Sequence, residues 1–361
     1  MLLYIFVAIV LVQVVYYLGI FSRLSFARKK IEKEKEFSVS VLISCKNEAV
    51  NLIENLPYLL GQEYTDFEIV LIDDASTDTT NTVMQEFAAK HANITIVSVP
   101  KTKTYTGNKK NALTKGIAKA KNKHLIFTDA DCIPKDKNWI QSIVNNFTED
   151  KEIVLGYGAY KKEKTWLNKL IRYETLLTAW QYFSYAKIGL PYMGVGRNIA
   201  YTKSIFAKAN GFESHKNIRS GDDDLFVNQI ANKSNVSICW EAQTTSNSES
   251  SMADWLRQKR RHITTATAYK PIHQFLLGLF YLSQFLFYGL FFFLLLSGFL
   301  LKYVLLLAVI RMIFYYISLI PTATKLNEKD LILWAIPLEL FLILTQLRTF
   351  VLNLWKKPTE W

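Results

Sequence analysis

Two aspartates separated by one small residue follow a short apolar run near the middle of the chain. The run Leu125–Phe127 leads through Thr128 to Asp129 and Asp131, with Ala130 between them. If the run is a strand, alternation places both carboxylates on one face and Ala130 on the other. Hard cations such as Mg²⁺ and Mn²⁺ take carboxylate oxygens and keep phosphate oxygens as further ligands. The spacing therefore predicts a metal site at Asp129 and Asp131, the alternative being an Asp-rich turn that ends a strand.

A second group of acids, Asp222, Asp223 and Asp224, follows Ser220 and Gly221. Neighbouring carboxylates raise one another's pKa toward the range that suits a general base. The alternative is a helix N-cap and first turn, where negative charge offsets the helix dipole. Both interpretations can hold, because a base at the start of a helix is positioned by its own backbone.

The elements that must position these side chains alternate between strand and helix. Short apolar runs predict four strands, and the amphipathic stretches between them predict three helices. The strands are Val39–Ser44, Glu68–Ile72, Ile94–Val99 and His124–Phe127, and the helices are Glu48–Gln62, Thr79–His91 and Lys109–Ala120. This alternation predicts right-handed βαβ units in a Rossmann-like, mostly parallel α/β sheet, which binds ligands at the carboxyl ends of its strands.

Acidic residues also follow the first two predicted strands. Glu48 comes just after the first, and Asp73 and Asp74 end the second. A carboxylate there can accept hydrogen bonds from a base N–H or a ribose hydroxyl. The alternative is that Ser76 or Asp78 only caps the helix that begins near Thr79, and for Asp78 the sequence favours neither interpretation over the other. The absence of Gly-x-Gly-x-x-Gly after the first strand removes the best support for a dinucleotide-dependent dehydrogenase.

Composition divides the 361 residues into charged and nearly uncharged parts. Half of the residues are hydrophobic, and charges concentrate in the middle of the chain rather than at its beginning or in its last quarter. This distribution predicts a membrane protein with a globular domain between its apolar segments. The net charge of +12 comes from scattered basic residues and from others beside apolar runs. It favours attraction to anionic lipid and phosphorylated substrates, and no nucleic-acid-binding module is recognisable.

An uncharged segment, Leu2–Phe21, is long enough to cross about 30 Å of hydrocarbon. Basic residues follow it instead of preceding it, which predicts an uncleaved anchor with the next domain in the cytoplasm. Three scattered cysteines, with neither disulfide nor zinc spacing, fit a reducing cytosol.

Further apolar spans are predicted at Phe275–Ser297, Tyr303–Ile320 and Leu331–Leu354. The last contains Glu339 and Arg348, and tilted, re-entrant and interfacial placements stay open for it. The predicted organisation is an anchor at 1–22, a globular domain at 37–250, an interfacial amphipathic helix at 251–272 and membrane segments at 273–355.

From Val39 to His262 the chain resembles the membrane-bound family-2 glycosyltransferases, the inverting GT-A-type group that includes cellulose, chitin and hyaluronan synthases. The motifs occur in that family's order. They are Val39–Ile43 leading to Asn47-Glu48, Asp73–Asp78, Gly107–Leu113, Thr128–Asp131, Gly194–Asn198 followed by Gly211-Phe212, Gly221–Leu225, and Gln258–His262. Two positions depart from the pattern, since Asn108 stands where Gly is usual and His262 where Trp is usual.

The resemblance implies a role for each matching residue. Asp223 would be the catalytic base with Asp222 beside it, and Asp131 with Asp129 would hold Mg²⁺ or Mn²⁺. The residues implied in binding the nucleotide-sugar donor are Glu48, Asp73, Asp74, Lys109, Asp129, Gln258 and Arg261.

The predicted function is transfer of a sugar from a UDP- or GDP-linked donor to a lipid or lipid-linked glycan acceptor, at the cytoplasmic face of the plasma membrane. Processive polysaccharide synthesis is an alternative that the Gln-x-x-Arg-like motif favours, although one plus three membrane segments are few for a polymer channel. A catalytically inactive nucleotide-binding subunit is a third possibility, and the retained acids Asp74, Asp131 and Asp223 argue against it.

Overall fold

The computed structural model describes residues 1–29, 34–101 and 108–355, which form two compact units. The sheet unit comprises the described residues of Lys30–Lys161 and Pro191–Ser248. The helical unit comprises those of Met1–Lys29, Lys162–Leu190 and Glu249–Trp361. Residues 162–190 thus pack in the helical unit, although they lie inside the globular domain predicted at 37–250.

The sheet unit is built on one eight-stranded sheet with the order β3-β2-β1-β4-β7-β6-β8-β5. Its strands are β1 (Val39–Cys45), β2 (Phe67–Asp74), β3 (Ile94–Val99), β4 (His124–Asp129), β5 (Ile133–Pro134), β6 (Ile153–Tyr160), β7 (Ile199–Thr202) and β8 (Val236–Ser246). Pairing is parallel in four of the seven described strand pairs, so the predicted mostly parallel sheet is confirmed. The four predicted strands are β1 to β4.

Helices cover the sheet and form the whole of the second unit. In chain order they are α1 (Leu2–Val15), α2 (Ser22–Ser25), α3 (Ala49–Leu60), α4 (Thr80–Lys90), α5 (Asn108–Lys119), α6 (Trp139–Val144), α7 (Trp166–Lys187), α8 (Lys203–Lys208), α9 (Asp224–Ile230), α10 (Met252–Ala266), α11 (Pro271–Ser297), α12 (Leu301–Lys325) and α13 (Ala335–Trp355). A π-helical stretch, Tyr16–Phe21, joins α1 to α2. The three predicted helices of the sheet unit correspond to α3, α4 and α5.

The apolar runs of β1, β2 and β4 form the centre of the sheet unit. Nearly every residue of these strands is buried, as expected for parallel strands with helices on both faces. Register aligns Cys45 with Asp73 on one side of β1 and Ser44 with Asp129 on the other. The acids of two separate strands therefore end at the same edge of the sheet.

The remaining half of the sheet contains antiparallel pairs and one break. The register between β6 and β8 shifts after Gly156, where the next pair is Tyr157 with Gln243. The buried Asn198 amide fills this break by donating to the carbonyls of Tyr157 and Ala242, each at 2.8 Å. Its own oxygen accepts a hydrogen bond from the Trp139 indole at 3.2 Å. One side chain thus replaces the missing ladder contacts.

Four helices of the described chain are long and apolar enough to cross a membrane. They span Leu2–Ser25, Pro271–Ser297, Leu301–Lys325 and Lys329–Asn353. The last includes the segment whose crossing the sequence left open.

A buried ion pair lies among these four helices. The guanidinium of Arg311 on α12 is 2.5 Å from the carboxylate of Glu339 on α13, and both side chains are at most 1% exposed. Arg311 also donates to Gln13 of α1 at 2.7 Å and to the Tyr17 hydroxyl at 2.9 Å. Glu339 accepts from Gln284 and Tyr288 of α11 at 2.7 and 2.6 Å. Each of the four apolar segments contributes a partner to the pair.

Candidate active site

A pocket opens where the strand order of the sheet reverses. The chain builds β1, β2 and β3 in one direction and then places β4 on the other side of β1, and open α/β sheets bind ligands at such a switch point. Ser44 of β1 and Asp129 of β4 line the pocket. Lys109 of α5, Gly196, and Asp222 and Asp223 just before α9 line it as well. The structure therefore brings four of the predicted site residues together.

Lys109 connects two of the acidic segments. Its ammonium lies 3.2 Å from the carboxylate of Asp129 and 3.5 Å from that of Asp222. The negative charge of Asp129, followed by that of Asp222, holds the pKa of Lys109 well above its ordinary value. The ammonium is thus a permanent positive charge in a pocket that also contains the carboxylates of Asp129, Asp222 and Asp223.

Asp223 is held by backbone N–H groups on both of its carboxylate oxygens. Oδ2 accepts from Gly196 at 2.7 Å and Oδ1 accepts from Asp224 at 2.8 Å. Asp223 is also the N-cap of α9, so the capping interpretation of this aspartate is confirmed and is compatible with a catalytic role. Burial, together with the charges of Asp222 and Asp224, raises the pKa of Asp223 to about 7.

Asp131 and Asp129 supply oxygen donors of the kind that Mg²⁺ and Mn²⁺ prefer. Burial, and next the charge of Asp129, raises the pKa of Asp131, while Arg197 partly offsets the shift. Burial and these two acids likewise raise the pKa of Glu48, which the Asn51 amide opposes. Within residues 1–29, 34–101 and 108–355, no three His, Cys, Asp or Glu side chains group as a ready-made metal site. The carboxylate pair fits a cation that takes its other ligands from a phosphate-bearing substrate.

Asp73 and Asp74 at the end of β2 are buried and already hydrogen-bonded. Asp73 accepts from the Ser76 N–H at 3.0 Å and from the Asn81 amide at 3.1 Å. Asp74 accepts from the side chain of Asn108, the residue that stands where the resemblance leads one to expect glycine. Asn108 therefore ties the first turn of α5 to the end of β2.

Gln258 and Arg261 lie on α10 in the helical unit, whereas every pocket-lining residue belongs to the sheet unit. Gln258 donates to Glu249 at 3.3 Å. The predicted role of both residues at the donor stays a prediction. Gly107 and the side chain of His262 lie outside the described part of the chain.

Two contacts in this site were not predicted from the sequence. The N–H of Gly196 donates to Asp223, and a Cβ at Gly196 would lie 3.3 Å from the same carboxylate oxygen. The second is the contact between Asn108 and Asp74 described above. The Gly194–Asn198 segment is recognisable as a motif, but a motif does not indicate which N–H faces which acid.

The sequence is similar to those of known glycosyltransferases. The model of glycosyl transferase family 2 matches residues 40–209. The probable glycosyltransferase YdaM of Bacillus subtilis is 28% identical over 50% of this chain and 44% of its own length. A poly-beta-1,6-N-acetyl-D-glucosamine synthase of Staphylococcus epidermidis is 32% identical over 30% of this chain and 25% of its own length. The alignments thus cover less than half of either relative.

A solved structure shows the same fold. The mannosyltransferase PcManGT from Pyrobaculum calidifontis, in complex with GDP-Man and Mn²⁺, superposes with a TM-score of 0.56 over 93% of this chain and 99% of that one. The sequences are 17% identical, so the likeness concerns the fold. The predicted α/β GT-A fold with apolar helices at both ends is confirmed.

Proposed function

We propose that this chain, whose residues 40–209 match the model of glycosyl transferase family 2, is an inverting enzyme that moves a sugar from a nucleotide-sugar donor to a hydroxyl of a membrane-associated acceptor. The donor is UDP- or GDP-linked, and the acceptor is a lipid or lipid-linked glycan. The observation that carries this proposal is the pocket in which Asp223, Lys109 and Asp129 meet at the switch point of the sheet.

Asp223 acts as the general base in the proposed reaction. The acceptor oxygen forms a bond to the anomeric carbon while the bond from that carbon to the donor phosphate oxygen breaks. The nucleoside diphosphate leaves with the bonding electrons, and the acceptor proton passes to the Asp223 carboxylate. A base with a pKa of about 7 is half ionised near neutral pH, which is the range where general bases are most effective.

The leaving diphosphate requires positive charge, and Lys109 supplies one that stays protonated at physiological pH. Asp131 and Asp129 are the residues that would hold Mg²⁺ or Mn²⁺. A divalent cation bound there would act as a Lewis acid toward the diphosphate. Asp73, Asp74 and Glu48 are assigned to the nucleoside, since buried carboxylates at strand ends can accept hydrogen bonds from base and ribose.

The proposed location is the plasma membrane, with the sheet unit in the cytoplasm, and the four helices long and apolar enough to cross a membrane support the membrane part of this proposal. Arg23 and Arg28 follow the first helix, and basic residues near a span tend to stay on the cytoplasmic side. Asp330, in the connection between α12 and α13, accepts hydrogen bonds from Arg172 of α7 and from Lys162 just before α7, each at 2.8 Å. We therefore infer that this connection and α7 lie on the same side of the membrane. On this topology α11 and α12 cross the membrane out and back, and α13 crosses it once more.

The test is turnover by the purified full-length protein in lipid vesicles. A panel of UDP- and GDP-linked sugars, including UDP-N-acetylglucosamine and GDP-mannose, is supplied with Mg²⁺ or Mn²⁺ and with membrane lipid extract as acceptor. We expect one donor to release its nucleotide and to label the lipid fraction. Asp223→Asn protein is the control for contaminating transferases. Absence of transfer from every donor, with folded protein, contradicts the proposal.

The same assay separates single transfer from processive synthesis. Single transfer gives one product whose mass exceeds that of the acceptor by one sugar at all times. Processive synthesis gives long products early, while most of the acceptor is still unmodified. Chelation by EDTA should stop transfer, and added Mg²⁺ or Mn²⁺ should restore it.

A further inference from the structure

Lys110, the neighbour of Lys109 on the first turn of α5, is a buried cation with no part in the proposed chemistry. Its side chain is 1% exposed. The ammonium lies 2.8 Å from Nδ1 of His215, 2.7 Å from the carbonyl oxygen of His215 and 2.9 Å from that of Ile218. An ammonium has three N–H donors, and all three have acceptors here. Burying a charged group costs free energy unless hydrogen bonds compensate it, and here these three contacts all come from the 215–218 segment.

The segment that Lys110 holds leads directly to the candidate base. His215 and Ile218 lie between two glycines with positive φ, Gly211 at +59° and Gly221 at +94°. Asp222 and Asp223 follow Gly221 immediately. Apart from the short 3-10 turn Glu213–His215, no regular element supports this described stretch. The position of Asp223 therefore depends on contacts that the segment makes with other parts of the sheet unit.

Two consecutive lysines of α5 act on the two ends of this stretch. Lys109 pairs with the Asp222 carboxylate at 3.5 Å, and Lys110 binds the backbone carbonyls at 215 and 218. Lys109 in turn is paired with Asp129 at the end of β4. The first turn of α5 thus contacts both the segment that precedes the candidate base and the end of the strand that leads to the candidate metal ligands.

We propose that Lys110 is a positioning residue for transfer: its ammonium fixes the 215–222 segment and so sets where the Asp223 carboxylate faces the acceptor. The effect on catalysis rests on the proposed function. The anchoring of the 215–222 segment by Lys110 is independent of the proposed function. Burial and the Lys110 charge keep His215 neutral by lowering its pKa to about 4, which leaves Nδ1 free to accept from the ammonium.

The test compares Lys110→Met, which keeps the length of the side chain and removes its donors, with Lys110→Arg and with Lys115→Met. Lys115 is exposed on the same helix and is the matched control. We expect Lys110→Met to lower kcat by about 100-fold, since a 1 Å displacement of a reacting group can cost that much. The KM for the donor should change less than threefold, because Lys109 and the strand-end acids remain. Lys110→Arg should retain most of the activity, and Lys115→Met all of it.

The pH profile of kcat/KM distinguishes a positioning role of Lys110 from a purely structural one. The charged and titratable groups that face Lys110 are His215, Asp222, Asp223 and Asp224. Removing a cation near Asp223 disfavours its carboxylate form, so the acidic limb of kcat/KM should move to higher pH in Lys110→Met and stay in place in Lys110→Arg. Added methylammonium should partly restore kcat to Lys110→Ala. An unchanged pH limb together with equal losses in both Lys110 variants overturns the proposal.

Hydrogen exchange supplies a readout that needs no turnover. In full-length Lys110→Met, amides of 215–222 should exchange at least tenfold faster, with β1 and β4 unchanged. Unaltered exchange of these amides overturns the anchoring by Lys110, whether or not the wild type transfers sugar. Absence of sugar transfer by the wild type overturns the proposed function and leaves the anchoring to be judged by exchange alone. If Lys110→Met does not fold, the same comparison is made with Lys110→Gln. Faster exchange with unaltered kcat also overturns the proposal.

Discussion

Asp223 combines two properties that a general base needs. Its carboxylate is fixed by N–H groups from Gly196 and Asp224, and its pKa lies near neutrality. The two properties have different origins: burial and the charges of Asp222 and Asp224 raise the pKa, whereas the backbone hydrogen bond from Asp224 that helps to orient the carboxylate lowers it and offsets part of the shift. An acid with this pKa is partly ionised near neutral pH, so that it can accept a proton there.

Asp223→Asn should abolish transfer while leaving donor binding nearly intact. Asparagine keeps the shape and can still accept from one backbone N–H, but it cannot take the acceptor proton. A loss of 10²- to 10⁴-fold in kcat is expected for removal of a general base. Steady-state kinetics and titration of the nucleotide by calorimetry measure the two effects. A variant with turnover near that of the wild type would show that another group is the base.

The pH dependence follows from the same residue. Because the ionised form of Asp223 accepts the proton, kcat/KM should rise as pH increases through about 7. Asp222→Asn removes a negative neighbour that raises this pKa, so its acidic limb should move to lower pH. Initial rates between pH 5 and 9 in a constant-ionic-strength buffer test both statements. A limb that stays in place in Asp222→Asn would contradict the assignment.

Gly196→Ala should impair catalysis without removing a hydrogen bond. The new Cβ would lie 3.3 Å from Oδ2 of Asp223, closer than such atoms normally approach, so the carboxylate must shift. We expect kcat to fall by about 10- to 100-fold, as for other small displacements of reacting groups. Gly278→Ala is the matched control, since its Cβ would meet nothing within 4 Å. Equal kinetics in the two variants would count against the proposed geometry.

At the scale of elements, the sequence predicted one half of the sheet and missed the other. β1, β2 and β4 are continuous apolar runs because both of their faces are covered, and each precedes a conspicuous polar or acidic segment. β6 is interrupted by Gly156 and Gly158, and β8 carries mostly polar residues, so neither shows a long uninterrupted apolar run. Their pairing depends on β7 and on Asn198, which are distant in sequence.

The candidate site divides in the same way. The side chains that carry charge, Asp129, Asp223 and Lys109, were predicted because their types suit the chemistry and their motifs occur in order. The groups that hold them in place were not, because the Gly196 N–H and the anchoring by Lys110 are long-range contacts. No local pattern encodes which backbone group a buried side chain will meet.

Asn198→Ala should destabilise the sheet unit more than an average substitution. It leaves the carbonyls of Tyr157 and Ala242 and the Trp139 indole without the partner that each has now. Buried polar groups left unpaired cost about 1–3 kcal/mol each before relaxation, so a loss of about 2–4 kcal/mol in the free energy of unfolding is expected. Urea unfolding of the detergent-solubilised protein measures it. Asn138→Ala, at an exposed helix start without a side-chain capping bond, should change it by less than about 0.5 kcal/mol.

At the scale of the whole molecule, the Arg311–Glu339 pair is a buried ion pair to which all four apolar segments of the helical unit contribute. Arg311→Met alone should be strongly destabilising, by about 3–5 kcal/mol, because it leaves Glu339 charged among apolar helices. The double variant Arg311→Met with Glu339→Gln should recover most of this loss. Thermal unfolding in detergent gives both values. A double variant no more stable than Arg311→Met would show that the charges are not coupled.

This pair also bears on how the polypeptide enters the bilayer during synthesis. A single Arg or Asp at the centre of a helix costs the insertion machinery about 2.5–3.5 kcal/mol, and both α12, with Arg311, and α13, with Glu339 and Arg348, carry ionisable side chains inside the helix. As successive segments they can neutralise each other as a hairpin before leaving the translocon. A ribosome-bound chain truncated after α12 should therefore remain crosslinkable to the translocon, whereas one extended through α13 should move into lipid.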